Sequence, residues 1–220
     1  MGKGSQHLIR HWINNETKQF NHMILSNSLS LLQFGTEVEW VSPIEADQFR
    51  EYQDDFLDFI TEPDERQYVY QKLREFWPSK GPVWDGIGIV RNGNQKGLIL
   101  LEAKAHTGET KSAMKAKSLD SREKIAARIV EVKAAFGSNS AVEVWLNQYY
   151  QLANRLCFLY FLNEKLHIPT WLVLCNFVDD QTYKPTSIEK WLHHTQHVFN
   201  HLQIDANSPL MSKVITIYPK

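Results

Sequence analysis

The stretch from Val83 to His106, V-W-D-G-I-G-I-V-R-N-G-N-Q-K-G-L-I-L-L-E-A-K-A-H, restricts the possible folds of this chain more than any other. It reads as two apolar strands joined by a polar turn. Asn92-Gly93-Asn94-Gln95-Lys96-Gly97 supplies residues that accept positive φ, as a hairpin connection needs. Centring the hairpin between Gly93 and Asn94 sets Asp85 directly opposite Glu102. Cross-strand partners of that kind have Cβ atoms about 5 Å apart. Glu102 and Lys104 are two positions apart and leave their strand on one face, while Trp84, the neighbour of Asp85, is expected on the other. Two carboxylates and an amine then converge in a sheet otherwise built of Ile, Leu and Val. Packing alone does not justify the cost of burying them.

Glu-x-Lys also occurs at Glu16-Thr17-Lys18 and at Glu131-Val132-Lys133. Only the copy at Glu102 follows an apolar run, Leu98-Ile99-Leu100-Leu101, and only it has an acid at the mirrored hairpin position. An exposed strand end with a Glu/Lys pair for solubility would leave Asp85 and Glu102 as like charges face to face. A divalent cation removes that penalty, whereas solvation merely weakens it. The pattern therefore predicts a divalent-metal site of the kind that phosphodiester cleavage requires, with Mg²⁺ as the expected ion and Mn²⁺ as its substitute.

These residues resemble the PD-(D/E)XK nuclease superfamily, whose restriction-endonuclease-like fold carries an acid early in one strand and Glu-x-Lys or Asp-x-Lys on the next. Asp85 corresponds to the first acid, Glu102 to the second and Lys104 to the lysine, with the resemblance spanning roughly residues 62–178. The residue before the acid is Trp84 instead of Pro, with Pro82 two positions upstream of Trp84. The resemblance implies a core in the order α-β-β-β-α-β. It implies that Asp85 and Glu102 ligate the metal together with the Ala103 carbonyl, and that Lys104 stabilises the attacking hydroxide or the developing phosphorane. Losing any of these three side chains should then harm activity far more than folding. Two further positions follow from it. Glu65 would project toward the metal from the preceding helix, and Gln148, preferred over Gln151, would act from the second core helix.

Residues 45–75 hold ten acids against four bases, whereas residues 108–134 hold seven bases against four acids. Net charge is only −1, so a local basic lobe, not a global field, would recruit phosphates. Lys111, Lys115 and Lys117 are the expected substrate contacts. DNA is the expected partner, with RNA as the alternative substrate and a non-cleaving nucleic-acid-binding or assembly module as the alternative function. Neither a Walker nor a helix-turn-helix signature accompanies the site, so a helicase or specificity subunit would be another chain, or the protein could form a homodimer.

The remaining pattern predicts an α/β protein with a mixed central sheet flanked by helices. Residues 1–43 are expected to be a helical extension, with one or two helices over 5–34, and residues 44–220 the catalytic domain. The stripe Phe49, Tyr52, Phe56, Phe59 and Ile60 predicts a helix over 44–60. Further helices are expected over 62–77, 120–136, 141–166 and 186–202, with strands at 170–178 and 214–218. Residues 107–119, Lys-rich and short of large apolar side chains, suggest a mobile flap. Cys157 and Cys175 sit in apolar contexts and read as small core residues. His193, His197 and His201 recur at zinc-ligand spacing, but they lie opposite the apolar stripe of their helix and read as a solvated face. With no apolar run of spanning length, a soluble cytoplasmic protein is expected.

Overall fold

A computed structural model describes residues 2–220. Three helices, α1 (Gly4–Asn15), α2 (Thr17–Ser26) and α3 (Leu29–Phe34), precede strand β1 (Val38–Ser42). After α4 (Arg66–Phe76) come β2 (Gly86–Asn92) and β3 (Gln95–Lys104), then α5 (Leu119–Ala135), α6 (Val142–Asn147) and α7 (Tyr150–Tyr160). The chain closes with β4 (Thr170–Asn176), α8 (Ile188–His201) and β5 (Val214–Ile217). The strands form one mixed sheet in the order β1-β2-β3-β4-β5. β1, β2 and β3 run antiparallel, while β3, β4 and β5 run parallel. Parallel neighbours need crossovers, which α5–α7 and α8 supply. The fold is thus α/β, a mixed sheet flanked by helices.

The β2–β3 register runs from Gly86 opposite Leu101 to Asn92 opposite Gln95, and Gly93 takes the positive φ of 56° that its two-residue turn requires. Side chains alternate across β3. Leu98 and Leu100 enter the core under α4, α5 and α7, while Ile99, Leu101 and Ala103 enter the core under α1, α2 and α3. The same alternation turns Glu102 and Lys104 toward α7. Each large apolar side chain buried in either layer contributes about 1.5–3 kcal/mol.

Several segments differ from the sequence expectation. Residues 2–43 supply an edge strand and the helical cover of one sheet face, with Trp12, Phe20 and Leu31 in its core. They are integral to the sheet rather than an appendage. No α-helix covers 44–60. Gln48 and Phe49 take positive φ, which an L-residue α-helix cannot continue through, and only short 3₁₀ turns occupy Glu45–Asp47 and Asp54–Phe59. The apolar stripe there is real, since Phe56 and Leu57 are fully buried, but irregular backbone delivers it. The expected helix over 141–166 breaks at Gln148-Tyr149 into α6 and α7, and its last turn, Phe161–Lys165, is π-helical.

The break is tied to the segment read as a flap. Ser112 accepts from Tyr150 N through its carbonyl (3.1 Å) and from Gln151 N through Oγ (2.8 Å), and Met114 N donates to Leu146 O (2.8 Å). Residues 112–114 therefore dock across the junction of α6 and α7. Trp84 also departs from expectation. It packs against Phe56 and Phe158 in the core shared with α7, because regular alternation in β2 begins only at Gly86.

Candidate active site

Asp85 sits in a bend just before β2. Its N–H donates to Leu101 O (3.2 Å), although the regular ladder already pairs Gly86 with Leu101. Asp85 and Gly86 thus share one partner, as at a β-bulge, and Asp85 does not take the expected ladder position directly opposite Glu102. One residue further the ladder is taken over by its side chain. Asp85 Oδ2 accepts from Ala103 N (2.8 Å), while the Val83 carbonyl accepts instead from Arg155 Nη2 (2.9 Å). The N–H and C=O of one strand residue point to the same side. The Ala103 carbonyl is therefore directed to the side that Asp85 occupies.

Glu102 is buried, and cations hold both of its oxygens. Oε1 accepts from Lys104 Nζ. Oε2 accepts from Arg155 Nε at 2.7 Å, with Arg155 Nη2 at 2.5 Å. Arg155 rises from α7, is itself buried, donates through Nη1 to Asn154 Oδ1 (2.7 Å) and lies with its guanidinium carbon 4.9 Å from the centre of the Trp84 ring. The sequence reading passed over Arg155. The available signal was a single Arg inside the apolar helix run Leu152 to Phe158, a position that an arginine rarely fills without a buried partner.

The two acids titrate in opposite directions. Dense packing around the Asp85 carboxyl desolvates it and the Glu102 charge adds to this, so its pKa rises to about 7 despite Lys104, the Ala103 N–H and Arg155. Desolvation also pushes Glu102 upward, but Arg155 and Lys104 outweigh it and hold its carboxyl below the ordinary value. One carboxylate is compensated and the other is short of positive charge.

Asp85, Glu102, Ala103, Lys104 and Arg155 line one open cavity of about 780 Å³. Lys111 and Lys115 stand on its wall, as do Ser5 at the start of α1 and Glu51. Lys117 is not among the lining residues. Nor is Gln148, which faces away and bonds through Oε1 to His201 Nε2 (3.0 Å). Gln151 lines the cavity in its place, since the break before α7 rotates the two glutamines out of one helical register. Glu65 is exposed at the start of α4 and does not reach the cavity.

Among the described residues no group of three His, Cys, Asp or Glu side chains is placed to hold one metal ion, at the acids or at the histidines. His197 and His201 are exposed and stack with ring centres 5.8 Å apart. The oxygen donors at the cavity floor are two carboxylates and a backbone carbonyl. That set fits a hard cation such as Mg²⁺, which takes one or two carboxylates and keeps several waters. The uncompensated charge of Asp85 is what such an ion would relieve. Among the described residues no helix is long and apolar enough to cross a membrane. No family model, curated protein or solved structure matches this chain.

Proposed function

We propose that the protein is a metal-dependent nuclease of the PD-(D/E)XK kind, with a restriction-endonuclease-like core, that hydrolyses phosphodiester bonds in DNA. The observation that carries this reading is the meeting of Asp85, Glu102 and Lys104 at the floor of one cavity with Lys111 and Lys115 on its wall. The strand order, a three-strand meander followed by a crossover to a parallel fourth strand, supports it as well.

Bound at this floor, Mg²⁺ would supply an activated water and neutralise phosphate charge. Asp85, Glu102 and the Ala103 carbonyl would hold it. Asp85 would ligate in its ionised form, and Glu102 is kept ionised by Arg155 and Lys104. Lys104, beside Glu102, places an ammonium where negative charge develops on the phosphorus oxygens. Arg155 is a positioning residue that fixes Glu102 from behind, and Lys111 and Lys115 attract the backbone. The double neutralisation of Glu102 favours a second reading, a module that binds nucleic acid without cutting it.

The test is incubation with linear, circular and branched DNA in Mg²⁺, Mn²⁺ or EDTA. Cleavage that needs the metal and is lost in Asp85→Asn, Glu102→Gln and Lys104→Ala supports the nuclease. Binding without cleavage in every metal would replace it by the second reading.

A further inference from the structure

Past Lys104 the cavity continues into a second pocket between β4, α7 and α8, and Glu102, Lys104 and Gln151 line both spaces. Its walls are apolar, from Leu174 on β4 and from Trp191, Val198 and Phe199 on α8, with Tyr149 at the start of α7. It encloses about 60 Å³, room for about four to six waters, which is the bulk of one small flat heterocycle.

Its polar groups are the informative part. Asn176, at the end of β4, is 6% exposed, and among the described residues its side chain makes no hydrogen bond although it lines the pocket. The residue is buried but its amide opens into the pocket, where water or a ligand can satisfy it. Gln151, half-buried, adds a second carboxamide on the pocket wall whose side chain makes no hydrogen bond among the described residues. A carboxamide offers a donor and an acceptor side by side, the arrangement that pairs with the edge of a nucleobase. Burial, then the positive fields of His197, Lys111, His193 and Lys190, hold His194 below the ordinary imidazole value. At neutral pH it is an uncharged partner of Thr110 Oγ1 (2.7 Å). Apart from Glu102 and Lys104, which the two spaces share, the pocket offers neutral polar groups between apolar walls, which suit an uncharged ring.

We propose that this pocket receives one unstacked nucleobase of a DNA strand whose backbone crosses Lys104, so that the substrate is single-stranded or locally unpaired DNA. The inference rests on the phosphodiester-cleaving reading and names its substrate class. Cleavage itself needs only the backbone phosphate to reach Glu102 and Asp85, but a base in an intact duplex would have to leave its stack to enter the pocket beside Lys104.

A single-stranded oligodeoxynucleotide is scanned with one abasic position, and its affinity is measured in Ca²⁺ and again in EDTA. Base stacking and edge contacts predict that one abasic position weakens binding at least about fivefold. Asn176→Leu should weaken binding of the intact strand comparably and erase that difference. Gln151→Leu, on the more open wall, should do the same to a smaller degree and covers the case in which Asn176→Leu fails to fold. Binding that tolerates an abasic site at every position, unchanged in both variants, would overturn the pocket assignment and leave the nuclease reading standing. If the protein bound no oligonucleotide at all, both would fall together.

Discussion

Replacing Arg155 by methionine keeps the bulk and apolar character of a buried helix position but removes both cationic contacts to Glu102 Oε2. It also frees the Val83 carbonyl and the Asn154 side chain and empties the space over Trp84. Breaking a buried ion pair by deleting one partner costs about 3–5 kcal/mol. Lys104 remains on Oε1, which puts the loss near the lower end, about 3 kcal/mol. For a chain of this length, with a urea slope of about 2.5–3 kcal/mol per molar, the unfolding midpoint should fall by about 1 M. Glu102→Gln should also be destabilising, because it strands the buried Arg155. Glu102 is therefore not neutral for folding, contrary to what the motif alone suggests. The two single losses should not add. The double variant should recover about 2 kcal/mol relative to their sum, since neither charge is then left alone. Urea denaturation of the four proteins at pH 7 measures this cycle. A loss below about 1 kcal/mol in Arg155→Met, or strict additivity, would refute the argument that this pair holds the site together.

Asp85 has a folded pKa of about 7 against an ordinary 3.8. Folding therefore takes up a proton between those values, and stability falls as pH rises through them, by at most about 4 kcal/mol at 1.36 kcal/mol per unit. In EDTA the wild type should be less stable at pH 8 than at pH 5, whereas Asp85→Asn should lose most of that difference; equal pH dependence in denaturant melts would contradict the shift. Mg²⁺ should raise the wild-type midpoint at pH 8 but leave Asp85→Asn unmoved, and thermal melts with and without the ion decide it. Lys104→Ala should keep that metal-induced stabilisation while losing cleavage; retained cleavage would remove the lysine from the chemistry. Neutralising Lys111 and Lys115 together should flatten the logarithmic salt dependence of single-stranded DNA binding by about 1.4, at 0.7 per phosphate contact, while Lys117→Gln should leave it unchanged.

The β2–β3 hairpin was legible because its information is local. Turn residues fix the centre at Gly93-Asn94, and a period of two then fixes which side chains share a face. β1 was missed for the opposite reason, since Val38-Glu39-Trp40-Val41-Ser42 is five residues long and lies between a helix end and a proline. The 44–60 stripe suited a helix by spacing, but spacing does not register that Gln48 and Phe49 turn the backbone left-handed. The choice between Gln148 and Gln151 hung on a helix break that Ser112 makes from 36 residues upstream. Arg155 finds Glu102 across 53 positions. No periodicity reports a contact of that range, although the isolated charge in an apolar helix announces that some partner exists.

The backbone of β3 is held differently along its two edges at the site. On the β4 side pairing continues to the end of the strand, with Phe177 N donating to Lys104 O (2.9 Å). On the β2 side it stops at Leu101, and Ala103 N donates instead to the Asp85 side chain, whose pKa burial raises to about 7. The Ala103 amide is thus a built-in reporter. Its proton resonance and exchange rate should follow the state of the Asp85 carboxyl while neighbouring amides, locked in the parallel ladder, stay still. A titration followed at that one nucleus would read the acid directly in the intact protein, without substrate and without turnover.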